Sequence, residues 1–263
     1  MLRTIFTKIL FEKRWTILLW FVGLTVVMIG ISMIFPPIRD TMGTMMGSVP
    51  DSMKNWFGTM ETWQTFSGYA GQEIFGQMAM MMAVVAVIFG AMFAAGDEQD
   101  GTLLMLLSRP VRRSSVYIQK YLALVVMVSV VASTYFFGAV LGGWILGEPV
   151  PYAAFLQASV MVWLLGLSLA TITYTLGTAT GRKGLAGVTV GFYAFLAYFL
   201  ASLSTAADIV DKLSYGSLFR YVNAPEVIAH GVNGGDVLVL TVVTIVAFVV
   251  ALPMFMRRDL KTR

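Results

Sequence analysis

Few side chains in this chain of 263 residues could carry out covalent or metal chemistry. The sequence contains no Cys and one His, which excludes thiolate catalysis, Cys-ligated metals and sites with several His ligands. Ser168 follows Gly166-Leu167 within an apolar run, and a Ser–His pair would suit an intramembrane serine protease. Because His230 lies in a separate polar segment predicted to be outside the membrane, this hypothesis is a minor alternative.

A second group of residues, in segment 96–113, suits binding rather than catalysis. Three acids come first, at the positive end of a predicted helix dipole, and Asp100 could cap that helix. Leucines follow, and a proline then stops the helix among basic residues. The apolar residues need a cover of lipid or of a partner protein, so a plain connecting helix and a docking helix are equal alternatives. The residues concerned are Asp97, Glu98, Asp100, Gly101, Thr102, Leu103, Leu106, Leu107, Arg109, Pro110, Arg112 and Arg113.

The composition of the chain shows which class of protein contains these residues. Hydrophobic residues make up 58% of the chain and charged residues 12%, against about 25% charged in a soluble domain. One soluble core could not hide this much apolar surface, which excludes a soluble enzyme, a soluble binding module and a disordered chain. The sequence therefore predicts an all-α polytopic membrane protein.

Six stretches are long and apolar enough to cross a bilayer as helices. Long continuous apolar runs are typical of membrane helices, whereas a barrel would show short alternating segments. We predict a single transmembrane domain over residues 1–263, with spans at about 15–35, 77–95, 117–141, 152–175, 185–203 and 237–256.

The distribution of charge predicts the orientation of these spans. An even number of spans places both termini on one side of the membrane, and 14 of the 18 Lys and Arg residues fall on that side. The positive-inside rule therefore predicts N-in, C-in topology in the cell membrane. The net charge of +4 is then a cytoplasmic bias, and no nucleic-acid partner is expected.

Residues 2–14 precede the first predicted span. Leu2, Ile5, Phe6, Ile9 and Leu10 recur at helical spacing, and basic residues occupy the rest of the turn. This pattern predicts an amphipathic interfacial helix in the cytoplasmic headgroup layer. A basic flank that only sets the topology is the alternative.

Two loops on the opposite side are predicted to carry short ordered elements. The loop 36–76 holds a stripe of Met and Trp residues that predicts short helices on the outer membrane surface, and such Met residues pack against apolar neighbours more often than they bind metal. The stripe comprises Met42, Met45, Met46, Met53, Trp56, Phe57, Met60 and Trp63. The loop 204–236 predicts turns at 217–221 and 223–226, with a solvated His230.

Polar residues also occur within the fourth predicted span. Ser168, Thr171, Thr175 and Thr178 recur every three or four residues and share one helix face. They could line a transport pathway or a dimer seam, or they could bond one helix to another. No charged residue lies near the centre of a predicted span, which argues against a proton-coupled or ion-coupled transporter.

The segment 96–113 resembles the first cytoplasmic loop of the ABC type-2 transporter permeases. Arg112 stands where that family often has Ser, and Met105 stands where it has an acid or Leu. The motifs Phe35-Pro36-Pro37, Val49-Pro50-Asp51 and Phe57-Gly58 are similar to the family's outer loop, so the resemblance covers nearly the whole chain. The matching loop residues are Glu98, Gly101, Thr102, Leu103, Leu106, Leu107, Ser108, Pro110, Val111, Arg113 and Lys120.

The resemblance implies an exporter permease without enzymatic activity of its own. The loop helix would be a coupling helix seated in a separate ATP-binding subunit, and that subunit would hold the ATP and Mg²⁺. The sequence agrees with this division, because it has no G-x-x-x-x-G-K-[ST] phosphate loop. A second copy or a sister permease would complete the pathway. A membrane scaffold or receptor that docks a cytosolic protein is the main alternative, and the sequence does not identify a cargo.

Overall fold

The computed structural model describes residues 4–45, 63–99, 112–205 and 207–257. These residues form long and short helices, with no strand among them, so the predicted all-α fold is confirmed. The elements are α1 (Ile5–Met33), α2 (Phe35–Met45), α3 (Phe66–Ala70), a π-helix (Gly71–Gln77), α4 (Ala79–Gln99), α5 (Arg113–Leu146), α6 (Tyr152–Thr180), α7 (Lys183–Ser202), α8 (Asp208–Ser214), a 3-10 helix (Leu218–Tyr221), α9 (Ala224–His230) and α10 (Gly234–Arg257).

Six helical stretches are long and apolar enough to cross a membrane, and each overlaps one predicted span. Several extend past the predicted ends, because backbone hydrogen bonding continues into polar flanks that a search for apolar runs omits. Helices α5 and α6 end at Gly147 and Gly181, whose φ angles of 71° and 69° lie in the left-handed region that favours glycine. The stretches are Ile5–Thr41, Phe66–Gly96, Arg113–Leu146, Tyr152–Thr180, Lys183–Ser202 and Gly234–Met256.

Helix α6 lies at the centre of the bundle. It packs against α4, α5, α7 and α10, and α1 packs along α5. The most apolar part of α6 is 72% buried, compared with 22% for α7 and 17% for α10. Helices α1, α7 and α10 therefore leave their apolar outer faces uncovered within this chain, while α6 holds the other spans together.

Helices α1 and α5 approach each other closely where α5 carries Gly138 and Gly142. A Cβ atom on Gly138 would overlap the side chain of Met28, and a Cβ atom on Gly142 would overlap Ser32. Small residues spaced four apart allow helix backbones to meet in this way within a membrane. The sequence spacing at 138 and 142 thus serves helix packing.

We expect Gly138→Ala to lower the free energy of unfolding by about 1–3 kcal/mol, because the added methyl group forces α1 and α5 apart. Gly187→Ala is the matched control, since its Cβ atom would meet Ala91 Cβ at an ordinary 3.7 Å. That variant should gain up to about 1 kcal/mol from helix propensity. The stability of both variants is measured by unfolding with sodium dodecyl sulfate in mixed micelles, with circular dichroism as the readout. Equal stability of the two variants would contradict the close approach.

The N-terminal amphipathic residues belong to α1 rather than to a separate helix. Thr4 caps this helix, since its hydroxyl oxygen accepts a hydrogen bond from the backbone N–H of Thr7 at 3.2 Å. The Arg14 guanidinium lies over the ring of Phe11, with its carbon 3.8 Å from the ring centroid. The helix then continues without a break to Met33. The location of its first turns in the headgroup layer stays a prediction.

Short helices occur in both predicted outer loops. Within the predicted loop 36–76, α2 continues the first apolar stretch, and α3 and the π-helix begin the second. The 3-10 helix and α9 occupy the predicted turns near 217–226. Trp63 is 3% exposed and packs against Tyr69, with ring centroids 5.8 Å apart. The side chains of Met42, Met45, Met46, Met53, Trp56, Phe57 and Met60 lie outside the described residues.

Candidate functional site

The predicted coupling segment begins at the end of α4 and ends at the start of α5. Backbone helix continues through Asp97 and Glu98 to Gln99, so these two acids lie in the last turn of α4. The helix predicted after Asp100 lies outside the described residues and stays a prediction. Arg112 is the N-cap of α5 and Arg113 its first residue. Asp100, Gly101, Thr102, Leu103, Leu106, Leu107, Arg109 and Pro110 lie outside the described residues.

Both ends of this segment lie at one end of the bundle, which we call the basic end. The backbone N–H of Phe6 donates to Gln119 Oε1 at 3.1 Å, which joins the start of α1 to the start of α5. The Tyr117 hydroxyl donates to the carbonyl oxygen of Phe248 at 2.9 Å, which adds the last turns of α10. The helix ends on this side of the bundle are rich in basic residues: Lys8, Lys13 and Arg14 in α1, Arg112, Arg113 and Lys120 at the start of α5, Arg182 and Lys183 between α6 and α7, and Arg257 at the end of α10.

The polar stripe of α6 lies between helices. Ser168 Oγ is 3.1 Å from the carbonyl oxygen of Leu240 and 2.9 Å from Thr244 Oγ1, both on α10. Thr175 Oγ1 is 2.9 Å from the carbonyl oxygen of Ala247. These hydroxyl groups thus link α6 to α10, which agrees with the helix-to-helix alternative. Thr171 and Thr178 belong to the same stripe, and its role in lining a pathway stays a prediction.

Thr171 adds a third link, to α5. Its hydroxyl oxygen lies 2.9 Å from the hydroxyl oxygen of Tyr121. Thr171 is fully buried, and Thr178 is 2% exposed. All four stripe residues also place their hydroxyl oxygens within hydrogen-bonding distance of a carbonyl one turn earlier in α6. The stripe therefore satisfies its polar groups inside the apolar bundle, as a membrane interior requires.

Ser168 and His230 do not form a catalytic pair. The Ser168 hydroxyl group is directed at α10, as described above. His230 Nδ1 instead lies 2.9 Å from Glu226 Oε1, and the His230 side chain is 72% exposed. Acyl transfer by Ser requires a base within hydrogen-bonding reach. This arrangement supplies none from His230, which is solvated as predicted.

The opposite end of the bundle, which we call the cavity end, holds a cavity of about 1020 Å³. Its walls are the α3 and π-helix region, the end of α7, and the segment 211–230. Gln72 and Gln77 line it from the π-helix, Ser202 from α7, and Asn223 from the turn before α9. These residues come from segments far apart in the chain, so the sequence analysis missed the site.

One local signal could have indicated this cavity. Gln72, Glu73 and Gln77 fall within a few residues, directly before the long apolar run of α4. Such a polar cluster at the edge of a span is unusual unless it borders water or a ligand. In the structure Gln77 Nε2 donates to Glu73 Oε1 at 2.8 Å. The membrane-spanning stretch also starts at Phe66, so Glu73 lies inside it rather than in the loop.

A charged clasp forms one wall of the cavity. The Arg220 guanidinium donates to Asp211 Oδ1 at 2.5 Å, and its carbon lies 3.8 Å from the Tyr215 ring centroid. The hydrogen bond with Asp211 raises the pKa of Arg220 above its ordinary value, so this cation keeps its charge at every physiological pH. The clasp fixes the 3-10 helix against α8 and thereby shapes the cavity wall.

The architecture and the satisfied intramembrane polar groups define a multi-pass helical membrane protein. The model of a family described as ABC-2 family transporter protein matches residues 13–260. Because the match covers nearly the whole sequence, the chain belongs to the ABC-2 transporter family. It is therefore a membrane permease component of an ABC transporter, and a transport subunit rather than a catalytic one. No curated protein matches the chain.

Proposed function

We propose that this chain is the permease of an exporter in the cell membrane, driven by a separate ATP-binding subunit that docks on segment 97–113. The observation that carries the proposal is the match to the ABC-2 family model, because the matched residues 13–260 include this segment. ATP and Mg²⁺ bind in the partner subunit. A second permease copy, identical or from a sister chain, completes the assembly within the lipid bilayer.

The helices on either side of the docking segment support this mechanism. The segment joins α4 to α5, and both helices pack against the central helix α6. Contacts such as that of Gly177 on α6 with Ala94 on α4 leave little free space at the basic end. Because packed interiors resist compression, a displacement of the docking segment moves α4 and α5 against α6. Movement of the ATP-binding subunits is thereby passed to the transmembrane core.

The proposal is tested by purifying the tagged chain in a gentle detergent and then assaying the co-purifying proteins for ATPase activity. We expect a co-purifying subunit with a Walker motif and ATP hydrolysis by the complex. The permease chain should not hydrolyse ATP alone, since its sequence lacks the phosphate-binding loop. A chain that purifies alone from a range of detergents, without ATPase activity, would instead identify a scaffold or receptor.

The proposed orientation predicts which residues face the outside of the cell. The natural chain has no Cys, so a single introduced Cys reports its own location. We expect a membrane-impermeant maleimide to label Lys212→Cys, at the cavity end, on intact cells. Lys183→Cys is the matched control at the basic end, and it should react only after permeabilisation. Both lysines are exposed, so access depends on the side of the membrane. The reverse labelling pattern would overturn N-in, C-in topology.

A further inference from the structure

The cavity at the cavity end is more polar than an ordinary small-molecule pocket. Ligand pockets of about 300–1,000 Å³ are lined mainly by apolar side chains with a few polar groups. This cavity has about 1020 Å³, and hydroxyl and amide side chains occupy much of its wall, including Thr65, Gln72, Gln77, Ser202 and Asn223. Such a surface gains little from an apolar ligand, because the ligand would leave its polar groups without partners.

The π-helix gives the cavity one of its polar walls. An α-helix would rotate these side chains differently, whereas the wider π-helical turn over Gly71–Gln77 places Gln72, Gly76 and Gln77 along the cavity. Gln72 is 5% exposed, and Gln77 is held by its hydrogen bond to Glu73. Insertions of this kind are rare and concentrate at functional sites. The amides are therefore held in place before a ligand arrives.

The charged side chains Arg220, Asp211 and Glu226 in the described wall already have polar partners within it. Arg220 binds Asp211, and His230 lies against Glu226. A strongly charged ligand would need an opposite charge free to receive it, or it would lose hydration without compensation. The aromatic side chains in the wall, Tyr198 and Phe219, form an edge-to-face pair with centroids 5.4 Å apart. A ligand with alternating hydroxyl groups and C–H faces fits such a surface.

We propose that this cavity binds an uncharged, polyhydroxylated ligand, that is, a carbohydrate or a carbohydrate-bearing molecule. Amide side chains both donate and accept hydrogen bonds, as sugar hydroxyl groups require. The half-buried ring of Tyr198 offers an apolar face beside its hydroxyl group. The volume accommodates a short oligosaccharide. Only the description of this ligand as a transported cargo rests on the proposed function, since binding in the cavity needs no ATP-binding subunit.

A printed glycan array, probed with the labelled full chain in lipid nanodiscs, tests this assignment. Nanodiscs replace maltoside detergents, whose sugar headgroups would compete for the site. We expect retention on neutral oligosaccharides and weaker retention on sulfated, sialylated and amino-sugar glycans. Gln77→Leu and Asn223→Leu should each weaken binding about tenfold, as expected for one or two lost hydrogen bonds. Retention of no neutral glycan, or of charged glycans only, would overturn the assignment.

Gln157→Leu is the matched control, because Gln157 is an exposed amide that does not line the cavity. It should bind glycans as the natural chain does, and an equal loss in this variant would also overturn the assignment. Asn223→Leu decides the test if Gln77→Leu fails to fold, since the exposed Asn223 side chain makes no capping bond to α9. If the chain captures an active ATPase subunit but binds no glycan, this inference alone is refuted. Glycan binding without ATPase capture refutes the proposed transport function instead.

Discussion

We expect Leu106→Asp and Leu107→Asp to separate this permease from its ATP-binding subunit while leaving it in the membrane. Both leucines belong to the apolar run that, in the proposed orientation, needs a cover on the cytoplasmic side. An aspartate pressed into an apolar groove would lose its hydration without gaining a partner. A loss of about 3 kcal/mol in binding free energy would weaken the affinity for the ATP-binding subunit more than a hundredfold. ATPase activity in the pulled-down material should fall by a similar factor.

Leu213→Asp is the matched control for these variants. Leu213 is 58% exposed on α8 at the cavity end, far from the proposed docking segment. The same change of residue type there should leave capture of the ATP-binding subunit and its ATPase activity unchanged. Membrane extraction and size-exclusion profiles establish that all three variants insert and fold. Survival of the complex in both loop variants would refute the coupling-helix assignment.

The second large effect is expected at Phe75, where replacement with alanine should destabilise the bundle at the cavity end. Phe75 is fully buried on the π-helix, with ring centroids 5.5 Å from Phe155 and 6.5 Å from Tyr135. In micelles the Phe75 side chain has apolar surroundings in both the folded and the unfolded state. The loss of stability therefore comes mainly from the cavity that the ring leaves behind. Removing roughly 100 Å³ of side chain at about 24 cal/mol per Å³ costs about 2–3 kcal/mol.

Phe192→Ala provides the comparison for this prediction. Phe192 is 64% exposed on α7, where lipid or detergent can fill the space that the ring vacates. Its free energy of unfolding should change by less than about 0.5 kcal/mol. Denaturant titration in mixed micelles measures both variants under the same conditions. A loss at Phe192 as large as the loss at Phe75 would mean that Phe75 is not part of a closely packed core.

The sequence predicted elements that depend on local pattern and missed those that depend on long-range contacts. The spans were predicted because about 20 apolar residues are needed to cross a bilayer wherever they occur. The second span was predicted to end at Ala95, whereas the helix continues to Gln99, because backbone hydrogen bonding extends into the polar flank. The pattern also could not show that Trp63 packs against Tyr69 in the buried core.

The candidate sites differ in the same way. The proposed docking segment 97–113 is one contiguous motif, so its residue types and order predict it without any structure. The cavity is assembled from Gln72 and Gln77, Tyr198 and Ser202, and Arg220 and Asn223, which meet only when α7 packs beside α4 and the 3-10 helix closes against α8. The π-helix is equally invisible in the residue pattern, because its polar and apolar residues would also suit an α-helix.

The sequence by itself therefore determined the class of this protein: a helical membrane chain with six spans and a contiguous docking motif similar to that of ABC type-2 permeases. The helical spans follow from composition and local periodicity, which act wherever a segment lies, and the similarity to the family rests on the order of particular residues in segment 97–113. Only the tertiary structure decided that α6 is the central helix, that its polar stripe bonds to α5 and α10, and that a polar cavity forms at the end opposite the docking segment. These features depend on which faces of distant helices meet, and packing of the complete bundle determines that choice.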